Sequence, residues 1–189
     1  MMQHRKPADY AHMPWKNGSG STTQIAIYPE HATLDNFDWR ISSATINQAS
    51  DFSTFIGIDR SLAILSGAGL RLGNNLELTP QSPPYCFTGE QTITAGLING
   101  TVVDFNVMTR RQNYAHTFKI LHIEGEAFIR TAIHETLILF HAHGETLFIN
   151  PHHSLDVGET FIMTEHQAAD IAVVSHDALL YVIHIQKNL

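Results

Sequence analysis

Apolar and polar residues alternate with a period of two along most of this chain. Thr23, Ile25 and Ile27 alternate with Gln24, Ala26 and Tyr28, and the run Phe37-Asp38-Trp39-Arg40-Ile41-Ser42 alternates likewise. The same spacing recurs over residues 62–72, 102–108, 118–123, 137–140, 146–149, 161–163, 171–174 and 180–185. Successive side chains of a strand point to opposite faces, so the pattern predicts half-buried β-strands. Turn-forming residues separate the runs: Asn17-Gly18, Gly73-Asn74-Asn75, Asn99-Gly100, Glu124-Gly125, Asn150-Pro151 and His176-Asp177. A sustained helical period is absent, and only a short helical turn is expected, near residues 51–56. Many short strands at even spacing predict an all-β sandwich or barrel.

A weak internal repeat narrows the architecture. LAILSGAGLRL, starting at Leu62, matches LILFHAHGETLFI, starting at Leu137, as strand, small-residue turn and strand. Downstream, PPYCFTGEQTITA matches HSLDVGETFIMTE through Gly89-Glu90 and Gly158-Glu159, and a further strand follows each. A repeated unit of this kind implies two similar β modules. The order of elements resembles the cupin core, which implies a double cupin: two small β-barrels in one chain with little helix. The expected division is residues 1–111 and 112–189, closely packed, with strand exchange between them allowed.

Composition excludes several classes. The 189 residues are 43% hydrophobic, enough for a core. A net charge of −7, with 11 Lys and Arg and no basic cluster longer than Arg110-Arg111, argues against nucleic acid. No apolar run reaches the roughly 20 residues that cross a membrane. The first residues, MMQHRKPADYAHMPW, lack the apolar core of a secretory signal, so a cytoplasmic address is expected. Cys86 is the single cysteine and makes no internal disulfide.

The histidines invite a metal reading. Ten of the 13 lie after residue 110, and His141 and His143 share a strand face. His152 and His153 follow nearby. The His-x-His pair stands at a hairpin turn, however, rather than ahead of a Glu and a later His as in metal-binding cupins. A metal-free module with no cofactor is therefore expected. The glycine-rich run Gly18-Ser19-Gly20 follows Lys16 and precedes a strand, whereas a phosphate loop needs its Lys after the glycines and a helix behind it. Neither Cys86 nor any Ser has a recognisable catalytic partner, and the spacing of acid–base carboxylates in a barrel is spatial rather than sequential.

The cations carry more information. Val103, Phe105 and Val107 share one face of their strand; Asp104, Asn106, Met108 and Arg110 share the other. Such a polar line is either the solvated side of a sheet or the lining of a wet pocket. Guanidinium, amide and thioether on one line favour recognition, because Arg clamps a carboxylate through two parallel hydrogen bonds. Lys16 would add a point charge and Trp15 an apolar wall, making a pocket for a small anion. Packing alternatives stand beside this: Trp15 between barrels, Lys16 and Asn17 in a solvated turn, Arg40 and Arg60 in buried ion pairs with Asp38, Asp59 or Asp104.

Five stretches in order, MPWKNGSGST, FDWRIS, FSTFIGIDRSLAILSGAGLRL, FTGE and DFNVMTRR, resemble the HutD/Ves family over about residues 13–111. The resemblance implies a double cupin with no firmly assigned activity, found with histidine-utilisation genes or as a stress-induced protein. It implies binding of a small carboxylate such as an N-formylglutamate-like acid. The family motif falls on Trp15, Lys16, Asn17, Gly18, Thr22, Trp39, Arg40, Phe52, Ser53, Gly57, Asp59, Arg60, Asp104, Asn106, Met108 and Arg110. Of these, Trp15, Lys16, Asn17, Arg40, Arg60, Asp104, Asn106, Met108 and Arg110 are the expected ligand-binding residues. Ser19 replaces the middle glycine of the family's Asn-Gly-Gly-Gly run and would be strained if that position needs a positive φ. A cupin enzyme acting on a small acid, metal-dependent at His141 and His143 or metal-free, and a ligand-free oligomeric stress protein remain the alternatives. A homodimer is admitted, since cupin sheets commonly pair edge to edge.

Overall fold

The computed structural model describes residues 2–15, 18–73, 75–149, 152–164 and 168–188. Its strands, in chain order, are β1 (Met2–Arg5), β2 (Ala11–Pro14), β3 (Gly20–Tyr28), β4 (Trp39–Ile46), β5 (Ser50–Asp51), β6 (Ile58–Ser66), β7 (Leu70–Leu72), β8 (Leu76–Leu78), β9 (Tyr85–Thr88), β10 (Thr94–Leu97), β11 (Val102–Arg110), β12 (Tyr114–Thr131), β13 (Glu135–Gly144), β14 (Leu147–Ile149), β15 (His153–Leu155), β16 (Thr160–Thr164) and β17 (Ala169–Lys187). The helical content among the described residues is one 3-10 turn, Pro7–Asp9. The chain is the expected all-β double cupin. It divides into two compact units, Tyr10–Tyr114 and Met1–Asp9 with Ala115–Leu189. No helix among the described residues is long and apolar enough to cross a membrane.

In the Tyr10–Tyr114 unit, six strands in the order β2-β3-β4-β11-β6-β9 form one antiparallel sheet, and β5-β10-β7-β8 form another. Ile46, Leu62, Ile64 and Val102 of the first pack with Leu70, Leu72, Leu78 and Ala95 of the second in one buried cluster. The other unit is a single curled sheet, β1-β16-β13-β17-β14-β15, with β12 on β17. Its interior is filled by Leu137, Leu139, Leu147, Ile149, Leu155, Phe161, Met163, Leu180 and Val182. That cluster is apolar, although Thr131, His141, Thr160 and Ser175 of the same unit are buried as well.

Four sequence expectations need correction. Residues 52–55 form no helical turn; they run irregularly into a turn at Ile56-Gly57, with Phe52 N–H donating to Ile93 O and Phe55 N–H to Gly89 O. His176-Asp177 lies inside β17, where that strand leaves β14 (Phe148 opposite Val174) and takes up β13 (Gly144 opposite Ala178). Glu124-Gly125 lies inside β12; Gly125, at φ +96°, is a local departure from strand geometry rather than a reversal. The Gly-Glu pairs are not topological equivalents either. Gly89-Glu90 follows β9, which pairs with β6, whereas Gly158-Glu159 precedes β16, which pairs with β13. β6 to β9 pair as β13 to β16 do, and β17 alone takes the places of β10 and β11, but the shared dipeptide falls on opposite sides of the equivalent strand. Asn150, Pro151 and Asn74, expected in turns, lie outside the described residues.

Candidate functional site

β11 runs through the middle of the larger sheet, with β4 on one side and β6 on the other. The register sets Met108 between Arg40 and Arg60, Asn106 between Ser42 and Leu62, and Asp104 between Ala44 and Ile64. Residues directly opposite in a sheet project to the same face. Each polar residue of β11 therefore stands in a row with its neighbours. Both faces of the strand are buried: Phe105 and Val107 on one side at 0% exposure, Asp104 and Met108 on the other at 1%. The polar line is not a solvated face. It is the floor of a cavity of about 500 Å³, completed by Ser42 and walled by Met13, Pro14, Trp15, Leu34, Phe52 and Phe55.

Two guanidiniums dominate the floor. Arg40 donates from Nε to Gln24 Oε1 at 2.9 Å and stands 4.0 Å from Met108 Sδ. Arg60 donates from one terminal nitrogen to Ser53 O at 3.0 Å. Its guanidinium carbon lies 4.8 Å from the ring centre of Phe87, 5.3 Å from Phe52 and 5.5 Å from Phe55. Three ring faces attract the cation without neutralising it. Neither arginine is in an ion pair with a described carboxylate. Asp38 takes its bond from Asn113, and Asp59 is paired with Arg111. The buried ion pairs that sequence left open are therefore not formed with these partners.

Among the described residues two buried side-chain atoms have no hydrogen-bond partner, Arg60 Nε and Asn106 Oδ1. A buried donor or acceptor left unmade costs about 1–3 kcal/mol. Here one of each is left in one cavity wall, a donor from β6 and an acceptor from β11.

Asp104 Oδ1 accepts the Ala44 N–H at 2.9 Å. Burial pushes its carboxyl up to about 7, against the opposing pull of that N–H and of Arg60 and Arg40. Burial likewise lowers Arg60 to about 10 and also lowers Arg40, with Asp104 opposing both. The folded protein thus holds a proton on Asp104 that the unfolded chain has released. The stabilising contribution is fully present below the ordinary carboxylate pKa of about 3.9 and is lost as pH rises through about 7. Within that window Asp104 should remove about 1.4 kcal/mol of stability per pH unit. Asp104→Asn should flatten this slope in urea denaturation at stepped pH. An unchanged slope in the variant would assign the titration elsewhere.

Trp15 lines the cavity, its indole N–H donating to Thr22 Oγ1 at 2.8 Å, and it also packs on the core of its own unit. Lys16 and Asn17 lie outside the described residues. The left-handed residue of the neighbouring loop is Gly18, at φ +71°; Ser19 is buried and is not among the positive-φ residues, so the strain foreseen for it does not arise. Arg110 stands apart from the lining. Its guanidinium donates to Phe37 O at 2.9 Å and Asp35 O at 3.2 Å, tying down the loop after β3. Gln24, Phe52, Ser53, Phe55 and Phe87 were not among the expected site residues. Phe52 and Ser53 stood in the family motif; Gln24 and Phe87 become neighbours of the arginines only through sheet register and folding.

The histidines have other work. His141 is fully buried with Nδ1 3.0 Å from Leu155 O and Nε2 3.0 Å from His143 O. His143 Nδ1 accepts the Gly144 N–H at 2.7 Å, and His153 packs on the Phe161 ring. Among the described residues no three His, Cys, Asp or Glu side chains converge as a metal site would require.

Comparison with known proteins agrees with the motifs. A Pseudomonas putida protein named as an uncharacterized 21.2 kDa protein in the hutC 3' region is 36% identical over 118 residues, 60% of each chain. Protein Ves of Escherichia fergusonii is 38% identical over 100 residues, 51% of each chain. The matches thus span only half to three-fifths of these relatives' length. The structure of HutD from Pseudomonas fluorescens SBW25 superposes with a TM-score of 0.86 over 100% of both chains at 24% identity, a likeness of fold. The HutD family profile matches residues 7–181, and the chain belongs to the HutD family.

Proposed function

We propose that this protein binds a small carboxylate in the cavity of its Tyr10–Tyr114 barrel and serves as a cytoplasmic sensor or buffer of that acid. The observation that carries the reading is the pair of buried guanidiniums, Arg40 and Arg60, with no ion-pair partner among the described carboxylates and with Arg60 Nε unpartnered among the described residues. A buried cation without a counter-charge is costly, and an incoming carboxylate supplies both the charge and the acceptor. Asn106 offers a second polar contact, while Trp15, Phe52 and Phe55 cover the apolar part of the ligand. The resemblance to the HutD/Ves family implies an acid of histidine breakdown such as N-formylglutamate as the candidate.

The test is a thermal-shift titration with N-formylglutamate, urocanate, glutamate and histidine. A ligand at about 100 times its Kd adds roughly 2.7 kcal/mol, a rise of several degrees for a chain of this size. A saturable rise with one acid is expected. No rise with any of them would remove the carboxylate reading. An enzyme is the second reading, favoured by Asp104, whose titration near neutral pH suits an acid–base group. Prolonged incubation with the bound acid should return it unchanged; a new product would establish turnover instead.

A further inference from the structure

Asp104 is an awkward residue for an anion site. It is 1% exposed, sits on the same face of β11 as Asn106 and Met108, and lines the cavity that Arg40 and Arg60 line. A carboxylate arriving between the arginines would meet another carboxylate in a low-dielectric wall. Two buried like charges raise each other's energy strongly, and one proton shared into the site relieves it. The charged groups nearest Asp104 among the described residues come from three strands. Arg40 comes from β4 and Arg60 from β6, and neither is within ion-pairing distance of it. Asp51 from β5 lies on the cavity lining and accepts the Thr94 hydroxyl at 2.6 Å. β3 contributes the neutral Thr22 to the lining and the neutral Gln24 to Arg40.

Hydrogen bonding points the same way. Asp104 has one protein donor, the Ala44 N–H on Oδ1. Two residues along the same face, Asn106 Oδ1 is a buried acceptor with no donor among the described residues. The floor therefore has acceptors to spare: a free Asp104 oxygen and the Asn106 oxygen. An ionised carboxylate ligand adds acceptors and no donors. The guanidinium nitrogens serve the ligand, but among the described residues no donor is placed on these two oxygens. A proton on Asp104 turns one acceptor into a donor.

We infer that this site takes up its acid as an anion together with one proton, with Asp104 as the group that receives the proton. The inference rests on the carboxylate-binding reading and adds a regulation to it: the cavity senses the acid most tightly at low pH and releases it as the surroundings turn alkaline. Charge balances in this step. Above about pH 7 the free floor carries two guanidiniums and an ionised Asp104, and the loaded floor carries two guanidiniums, one ligand carboxylate and a neutral Asp104; below that pH Asp104 already holds the proton and none is taken up. The proton comes from bulk water. Burial, which already lifts the Asp104 carboxyl to about 7 in the free protein, makes the uptake easy near neutral pH.

The experiment is calorimetric titration of the full chain with N-formylglutamate between about pH 6 and about pH 8.5, in buffers of differing ionisation heat. The probe's carboxyls do not titrate in that window, so any proton uptake belongs to the protein. Expected is an affinity that falls up to about tenfold per pH unit above pH 7, the slope of one linked proton. A buffer-dependent heat near one proton per ligand should accompany it at the alkaline end. Asp104→Asn keeps an oxygen for the Ala44 N–H and should bind with an affinity flat in pH and no proton uptake. Binding that is equally tight across the window, or a proton uptake that survives in Asp104→Asn, overturns the proton coupling while leaving the carboxylate site intact. Absence of binding at every pH overturns both.

Discussion

Arg60→Met should weaken binding of the small carboxylate by roughly 30-fold to several thousandfold, while the melting temperature moves by only a few degrees. The two effects separate because of how Arg60 is held. It is 5% exposed, is not neutralised by any described carboxylate, and is surrounded by Phe52, Phe55 and Phe87. Truncating one member of a buried, hydrogen-bonded charge pair costs about 2–5 kcal/mol of binding, which is the fold-change stated. For the free protein the same substitution removes a desolvated charge and places a thioether among aromatic rings, a favourable contact. Against this stand the loss of three cation–ring contacts and of the bond to Ser53 O. Titration by thermal shift on wild type and variant reads both quantities together. A variant that melts far lower yet binds with unchanged affinity would make Arg60 a packing residue and remove the anion pocket.

Gly20→Ala should cost about 1–3 kcal/mol of stability and disturb the Trp15 wall. Gly20 opens β3, opposite Ile46 of β4, and its carbonyl accepts the Trp15 N–H at 2.9 Å. A Cβ there would run into the Thr45 carbonyl oxygen and stand 3.0 Å from the Trp15 ring. Backbone cannot yield as a side-chain tip can, so strand and indole must both shift. At 2–4 °C per kcal/mol for a chain of this length, the melting point should fall by about 2–12 °C. Trp15 and Trp39 are the two tryptophans, and Trp39 is buried. A change in emission or quenching would therefore report chiefly Trp15. Wild-type stability and wild-type fluorescence in Gly20→Ala would show that the close approach is not required.

These two residues show how unevenly the site was legible. Met108 and Asn106 could be placed on one face by counting in twos, and Arg40 on the face opposite Trp39 and Ile41. That counting is local, because a strand's side chains alternate whatever its neighbours do. Whether the polar face met water or a cavity was not local. β11 has partners on both sides and packing on both faces, and only the pairing of strands distant in sequence decides that. Arg110 illustrates the limit. It continues the alternation of Asp104, Asn106 and Met108, yet its guanidinium reaches the carbonyls of Phe37 and Asp35. The turn signals failed in the same manner at His176-Asp177. Residues that favour turns were carried inside a long strand at the point where it changes partners.

By itself the sequence determined what short-range chemistry controls: the strands, the all-β class, the duplication and the family motifs. Period-two alternation and turn residues act over a few bonds, and the motif residues are spelled out in order. Tertiary structure alone decided the rest. It set the polar face of β11 on a cavity, brought Gln24 and Phe87 to the arginines, left Arg60 Nε and Asn106 Oδ1 without partners among the described residues, and buried Asp104 deeply enough to hold a proton near neutral pH. Burial and unmet hydrogen bonds are properties of surroundings, and the surroundings of these residues come from strands up to several dozen positions away.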